Sequence, residues 1–82
     1  MVGVDVGTAS VVSGDTVNSN TEFGIVCDGA GSLISGNTVY QNGTGISCDT
    51  TNGYAGNVLN NTNNVSGLTN LGHNLCGSSL CP

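Results

Sequence analysis

Residues 32–49 read SLISGNTVYQNGTGISCD, and residues 10–28, SVVSGDTVNSNTEFGIVCD, form an imperfect copy of them. Gly14 falls under Gly36, Val17 under Val39 and Asn20 under Asn42 at an offset of 22; Gly24 falls under Gly45, Ile25 under Ile46 and Cys27 under Cys48 at an offset of 21. A third copy, YAGNVL at 54–59, follows ISGNTV at 34–39 by 20 residues. Self-similarity at such a period marks a solenoid, in which one unit cannot bury a face by itself and successive units stack over a shared core.

The composition suits strands and tight corners. Fourteen glycines, one proline and a dense scatter of Asn, Thr and Ser disfavour long helices, because these polar side chains compete for backbone hydrogen bonds and favour turns. The 82 residues are expected to make one all-β domain: a partial coil at 1–9, full coils at 10–31, 32–51 and 52–70, and a shortened coil with a C-terminal cap at 71–82. A core of this size alone supplies only about 3–5 kcal/mol, so covalent staples or self-association are expected beside it.

The chain has no Lys or Arg and five acids, Asp5, Asp15, Glu22, Asp28 and Asp49, for a net charge of −5. Phosphate recognition relies on cationic side chains, so nucleic acid and anionic membrane are poor partners. No apolar run is long enough to span a bilayer. No basic segment followed by an apolar stretch marks a signal peptide at the start. Gly3-Val4 sits 21 residues before Gly24-Ile25, so the opening reads as the end of a truncated repeat within a longer parent.

The four cysteines form two unlike pairs. Cys27 and Cys48 hold equivalent places in consecutive coils and are read as stacked, buried thiols acting as small apolar fillers. Strands about 4.8 Å apart would also permit a bond between them, at the near limit of disulfide Cα separation. Cys76 and Cys81 flank the Gly/Ser turn at 77–80, where a local disulfide would stop the last coil fraying; it would place the parent in an oxidising, extracellular or cell-surface setting. No metal site or other cofactor is expected, since C-x4-C with one distant His lacks ligand spacing.

Stacking the copies predicts three inward columns: Val12/Ile34/Tyr54/Leu71, Val17/Val39/Leu59/Cys76 and Val4/Ile25/Ile46/Leu68. A fourth column, Asp15/Asn37/Asn57/Asn74, lies at or near a glycine in each coil. Asn tolerates the left-handed backbone a corner needs, and stacked amides can hydrogen-bond from coil to coil, so this column is read as a structural ladder.

The pattern apolar-x-Gly-Asn-x-Val-x-x-Asn followed by Gly-Ile resembles the right-handed parallel β-helix repeat of pectate lyase-like and NosD-like proteins. Ile34, Gly36, Asn37, Val39, Asn42, Gly45 and Ile46 carry it, and Val12, Gly14, Asp15, Val17, Asn20, Gly24 and Ile25 echo it. The closing residues 70–82 are similar to the end of bacterial β-helix proteins of unknown function. The resemblance implies a single-stranded right-handed parallel β-helix of about 3–4 coils with 20–22 residues each. It fixes little about activity, because one scaffold hosts many functions.

Lyases of that fold use an Arg or Lys as base, and this chain has neither. Hydrolases of the fold use clustered aspartates, and a glycosidase needs paired carboxylates about 5–9.5 Å apart. Asp28 and Asp49, each one residue beyond a stacked cysteine, are the candidates; against them stands the reading of two exposed turn aspartates without a cationic or aromatic subsite nearby. His73 is read as a solvated cap residue. Tyr40, next to inward Val39, is expected to face out, toward a sugar or, preferred here, a subunit contact. The glycosylation sequons at Asn42, Asn60 and Asn64 are near chance in so Asn-rich a chain. Only Thr16/Thr38 stack outward, too few for an ice-binding face.

Two function classes follow. The first is a non-catalytic structural or binding module, contacting carbohydrate through shallow polar faces; the alternative is the remnant of a polysaccharide-acting hydrolase built on Asp28 and Asp49. A short stack exposes strand edges that natural proteins cover or pair. Self-association is therefore expected, end to end through Val2–Val6 or side by side through an apolar outer face, with a trimer among the arrangements.

Overall fold

The computed structural model describes residues 2–82, so the first residue of the expected partial coil lies outside the described residues. The described residues contain no helix. Their strands are β1 (Val2–Val6), β2 (Val11–Ser13), β3 (Thr16–Asn18), β4 (Phe23–Cys27), β5 (Leu33–Ser35), β6 (Thr38–Tyr40), β7 (Thr44–Ala55), β8 (Val58–Asn60), β9 (Asn63–Asn70), β10 (Leu75–Cys76) and β11 (Ser79–Leu80). They wind into a parallel β-solenoid of about four turns.

Each turn contributes to three faces. The first stacks β1, β4 and the start of β7 and of β9; the second stacks β2, β5 and the end of β7 and of β9; the third stacks β3, β6, β8 and β10, with β11 folding back antiparallel on β10. The short strands have one residue buried between two more exposed ones, as in β2 and β3, because alternate side chains point to opposite faces.

The inward residues fill a narrow core in which Ile25, Ile34, Val39, Ile46 and Leu59 are wholly buried. Burial of each such side chain contributes about 1.5–3 kcal/mol. Their columns follow the ladders: Val17 on Val39 on Leu59 on Cys76, as the repeat requires. Two columns end differently from expectation. Ile46 is followed by Val65, not Leu68, and Tyr54 by Asn70, not Leu71.

The first is already set where Thr44 meets Asn63 in the same register, and the second arises at one corner. β7 takes five steps from Cys48 to Gly53 while β9 takes two, from Gly67 to Thr69. The β7 corner therefore bulges beyond the coil that follows it. Leu68, at φ 44°, turns into the core at that shortcut, and Leu71 is displaced outward to 57% exposure.

The recurring Gly-Ile pair has a steric cause. A Cβ at Gly24 would lie 2.6 Å from the Gly45 carbonyl oxygen, and one at Gly45 would lie 2.6 Å from the Asn64 carbonyl oxygen. Stacked backbones approach so closely at this point that only glycine fits. Asn64 follows in the same column in the last coil.

Candidate functional site

Three corners separate the faces, and each carries a polar ladder. At the first, Gly14, Gly36 and Gly56 adopt φ of 65–69°, and the residue after each enters the ladder. Asn37 Oδ1 accepts from the Asp15 backbone N–H at 2.9 Å; Asn57 Oδ1 accepts from the N–H and Nδ2 of Asn37; Asn74 Oδ1 accepts from the N–H and Nδ2 of Asn57 at 3.0 and 2.9 Å. Each amide also donates to a carbonyl, Asn37 to Val12, Asn57 to Ile34 and Asn74 to Tyr54. The glycine takes the left-handed backbone, and His73 takes it in the last coil with φ 60°, leaving the asparagine free to bridge coils. Asp15 contributes its backbone only; its side chain is exposed.

The second corner repeats the device with Asn20, Asn42 and Asn61, and the third with Ser32 and Asn52. Sequence reading missed both as ladders, although the Asn20/Asn42 alignment carried the signal. Among the described residues, all side-chain N and O atoms sealed from solvent have partners.

The candidate acids meet different neighbours. Asp49 Oδ1 accepts from the Thr51 backbone N–H at 2.9 Å, from the Thr51 hydroxyl, and from Asn52 Nδ2 at 3.1 Å. The Thr51 hydroxyl first, its N–H next and Asn52 last hold the Asp49 carboxyl below the usual aspartate range, against desolvation that outweighs the Asn52 bond alone. Asp28 meets Asp5. A hydrogen bond that the protonated Asp5 carboxyl donates to Asp28, then desolvation, then like-charge repulsion raise the Asp5 pKa above its ordinary value. Asp28 and Asp49 are both exposed, as is His73.

The cysteines call for a correction. Cys27 and Cys48 are joined as a disulfide with a Cα separation of 4.8 Å, and are not free thiols. The in-register parallel stack points both Cβ atoms the same way at a distance within the bonding range. Cys76 and Cys81 form the second disulfide, with Cα atoms 4.9 Å apart across the β10–β11 hairpin. No trio of His, Cys, Asp or Glu gathers among the described residues.

A shallow depression of about 390 Å³ runs along the second corner, beside Ser19, Gln41 and Thr62. These exposed residues come from three successive coils, with Gln41 over Ser19 and Thr62 one column along, after Gly43, and the lining holds only neutral amides, hydroxyls and backbone. Tyr40 is half-buried on the adjoining face, between Asn18 and Asn60. Searches of protein-family models, of curated proteins and of solved structures find no significant match to this chain.

Proposed function

We propose that this chain is a non-catalytic binding and structural module that contacts neutral carbohydrate along the Ser19/Gln41/Thr62 corner and associates with itself. The carrying observation is the corner depression itself. Its exposed amides and hydroxyls come from three successive coils stacked about 4.8 Å apart, and can exchange hydrogen bonds with successive hydroxyls of an extended polymer. With no Lys or Arg in the chain, the corner has no means of holding a polyanion, which directs the reading to uncharged glycans. The kinship with pectate lyase-like and NosD-like repeats belongs to this reading and rests on the repeat residues alone.

A hydrolase built on Asp28 and Asp49 is the weaker reading. The Asp49 carboxylate is engaged in its own turn and held ionised, so it lacks the raised pKa a general acid needs. Cosedimentation with insoluble neutral polysaccharides tests the proposal: retention that falls on Gln41→Ala supports it, and no retention on any glycan removes it. Release of reducing ends during the same incubation would restore the hydrolase reading.

A further inference from the structure

A second cavity, of about 420 Å³, lies inside the last coil, between β9 and the C-terminal Pro82. Tyr54 lines it from the coil before. That side chain is 4% exposed, and its hydroxyl has no hydrogen-bond partner among the described residues. Since no sealed polar side-chain atom lacks a partner, the hydroxyl is where this buried ring meets solvent, in the cavity it lines. There it stands as both donor and acceptor, open to whatever occupies the cavity.

The rest of the lining completes a small recognition site. Asn64 uses its Oδ1 to end the second ladder, accepting from the Asn61 N–H at 2.7 Å and from Asn61 Nδ2, while its own Nδ2 has no partner among the described residues. Val65, Leu68 and Cys76 supply an apolar wall, with Pro82 beside them. No Asp or Glu side chain lines the cavity, and the sequence has no Lys or Arg. The volume falls in the range of ordinary small-molecule sites, about 300–1,000 Å³.

From this we infer that the C-terminal cavity binds a single neutral sugar unit, its apolar ring face on Leu68 and Val65 and a hydroxyl or carbonyl oxygen between the Tyr54 hydroxyl and Asn64 Nδ2. The inference shares with the proposed function only the preference for uncharged carbohydrate. This site takes a chain end or free monosaccharide, whereas the lateral corner takes an extended polymer.

Methyl-resolved NMR on the full chain tests it, with titration of glucose, galactose and N-acetylglucosamine. The expected result is a saturable shift of the Val65 and Leu68 methyls by at least one sugar, weakened about three- to tenfold by Tyr54→Phe, which removes one hydrogen bond and leaves the ring to pack. Unchanged Asn57 and Asn74 amide signals would show the variant folded. Absence of methyl shifts with all three sugars, or equal affinity in Tyr54→Phe, overturns the inference. Shifts confined to Gln41 and Thr62 would also overturn it while leaving the lateral-corner reading in place; loss of polysaccharide retention with intact Val65 and Leu68 shifts would do the reverse.

Discussion

Asn37 donates both its backbone N–H, at 3.0 Å, and its Nδ2, at 3.1 Å, to the Oδ1 of Asn57 one coil further on. The arrangement has a direction: each oxygen receives from the coil before it and each backbone N–H gives to the coil after it, while Nδ2 gives both to the next asparagine and back to a carbonyl of the preceding coil. In the last coil the donors are received locally, by Asn64 Oδ1 in the second ladder and by Asn70 Oδ1 in the first. In the first described coil, Asp15 and Asn20 have no such neighbour before them to serve among the described residues.

Replacing Asn57 by Leu removes the acceptor for two Asn37 donors and the donor to the Ile34 carbonyl, all buried. Each orphaned group costs about 1–3 kcal/mol, so a loss of roughly 2–5 kcal/mol is expected in denaturant unfolding, against under about 0.5 for the exposed Thr38→Val. Equal midpoints for the two variants would show that the ladder contributes little.

Gly24→Ala forces a Cβ to within 2.6 Å of the Gly45 carbonyl oxygen and 3.0 Å of Asn42 Nδ2. Neither coil can yield without breaking register, so a loss of about 3 kcal/mol is expected, beyond the roughly 1 kcal/mol expected for Gly36→Ala, whose Cβ meets nothing nearer than the Gly14 nitrogen at 3.9 Å but whose φ is +66°. Thermal unfolding of the two variants should rank them in that order. The reverse ranking would show that backbone conformation, rather than coil approach, selects the glycines.

The disulfides should differ in weight. The Cys27–Cys48 bond closes a loop with a sequence separation of 21, against 5 for Cys76–Cys81. Restricting the unfolded chain is worth about 3 kcal/mol for the first and about 2 kcal/mol for the second. Paired Cys→Ser variants, unfolded in urea, should lose stability in that proportion, and full reduction should approach their sum.

Two carboxyls give opposite pH signs. Asp5 has a raised folded pKa, so its ionised form strains the fold at neutral pH, and stability grows as pH falls through that raised value toward 3.8. Asp49 has a lowered folded pKa; its contribution is complete above 3.8 and disappears as pH falls further, through its folded value. Melting temperature should therefore rise on mild acidification and drop below that point. Asp5→Asn should abolish the rise and Asp49→Asn should blunt the drop; an unaltered profile in both would sever the link to these groups.

The solenoid was legible because coil stacking imposes the same demand at each repeat: glycine where backbones meet, an aliphatic residue inward, an amide at the corner. Legibility ended where a coil departs from the repeat. The shortcut at Gly67 and Leu68 put Asn70 in the column assigned to Leu71, and no local residue signals a corner three steps shorter. The Asn20/Asn42/Asn61 ladder was visible in the alignment, yet Asn at a polar corner is common enough to hide a bridging role. The partnering of Asp28 with Asp5 rather than with Asp49 depends on side-chain rotation at a turn, which sequence spacing does not determine.

Self-association gives the last expectation. Among the described residues β1 pairs with β4 alone, and its other edge carries unpaired backbone groups beside Val2, 39% exposed. On the third face, by contrast, the C-terminal end is covered by the β10–β11 hairpin and its disulfide. An open strand edge recruits another strand, and a lysine there is the usual deterrent because pairing would bury its charge. Sedimentation velocity should show species that grow with concentration for the parent chain, and a monomer for Val2→Lys with an unchanged melting temperature. If the variant associates as the parent does, the contact lies elsewhere, and the outer apolar row of Val58, Leu75 and Leu80, aligned across β8, β10 and β11, becomes the surface to mutate next.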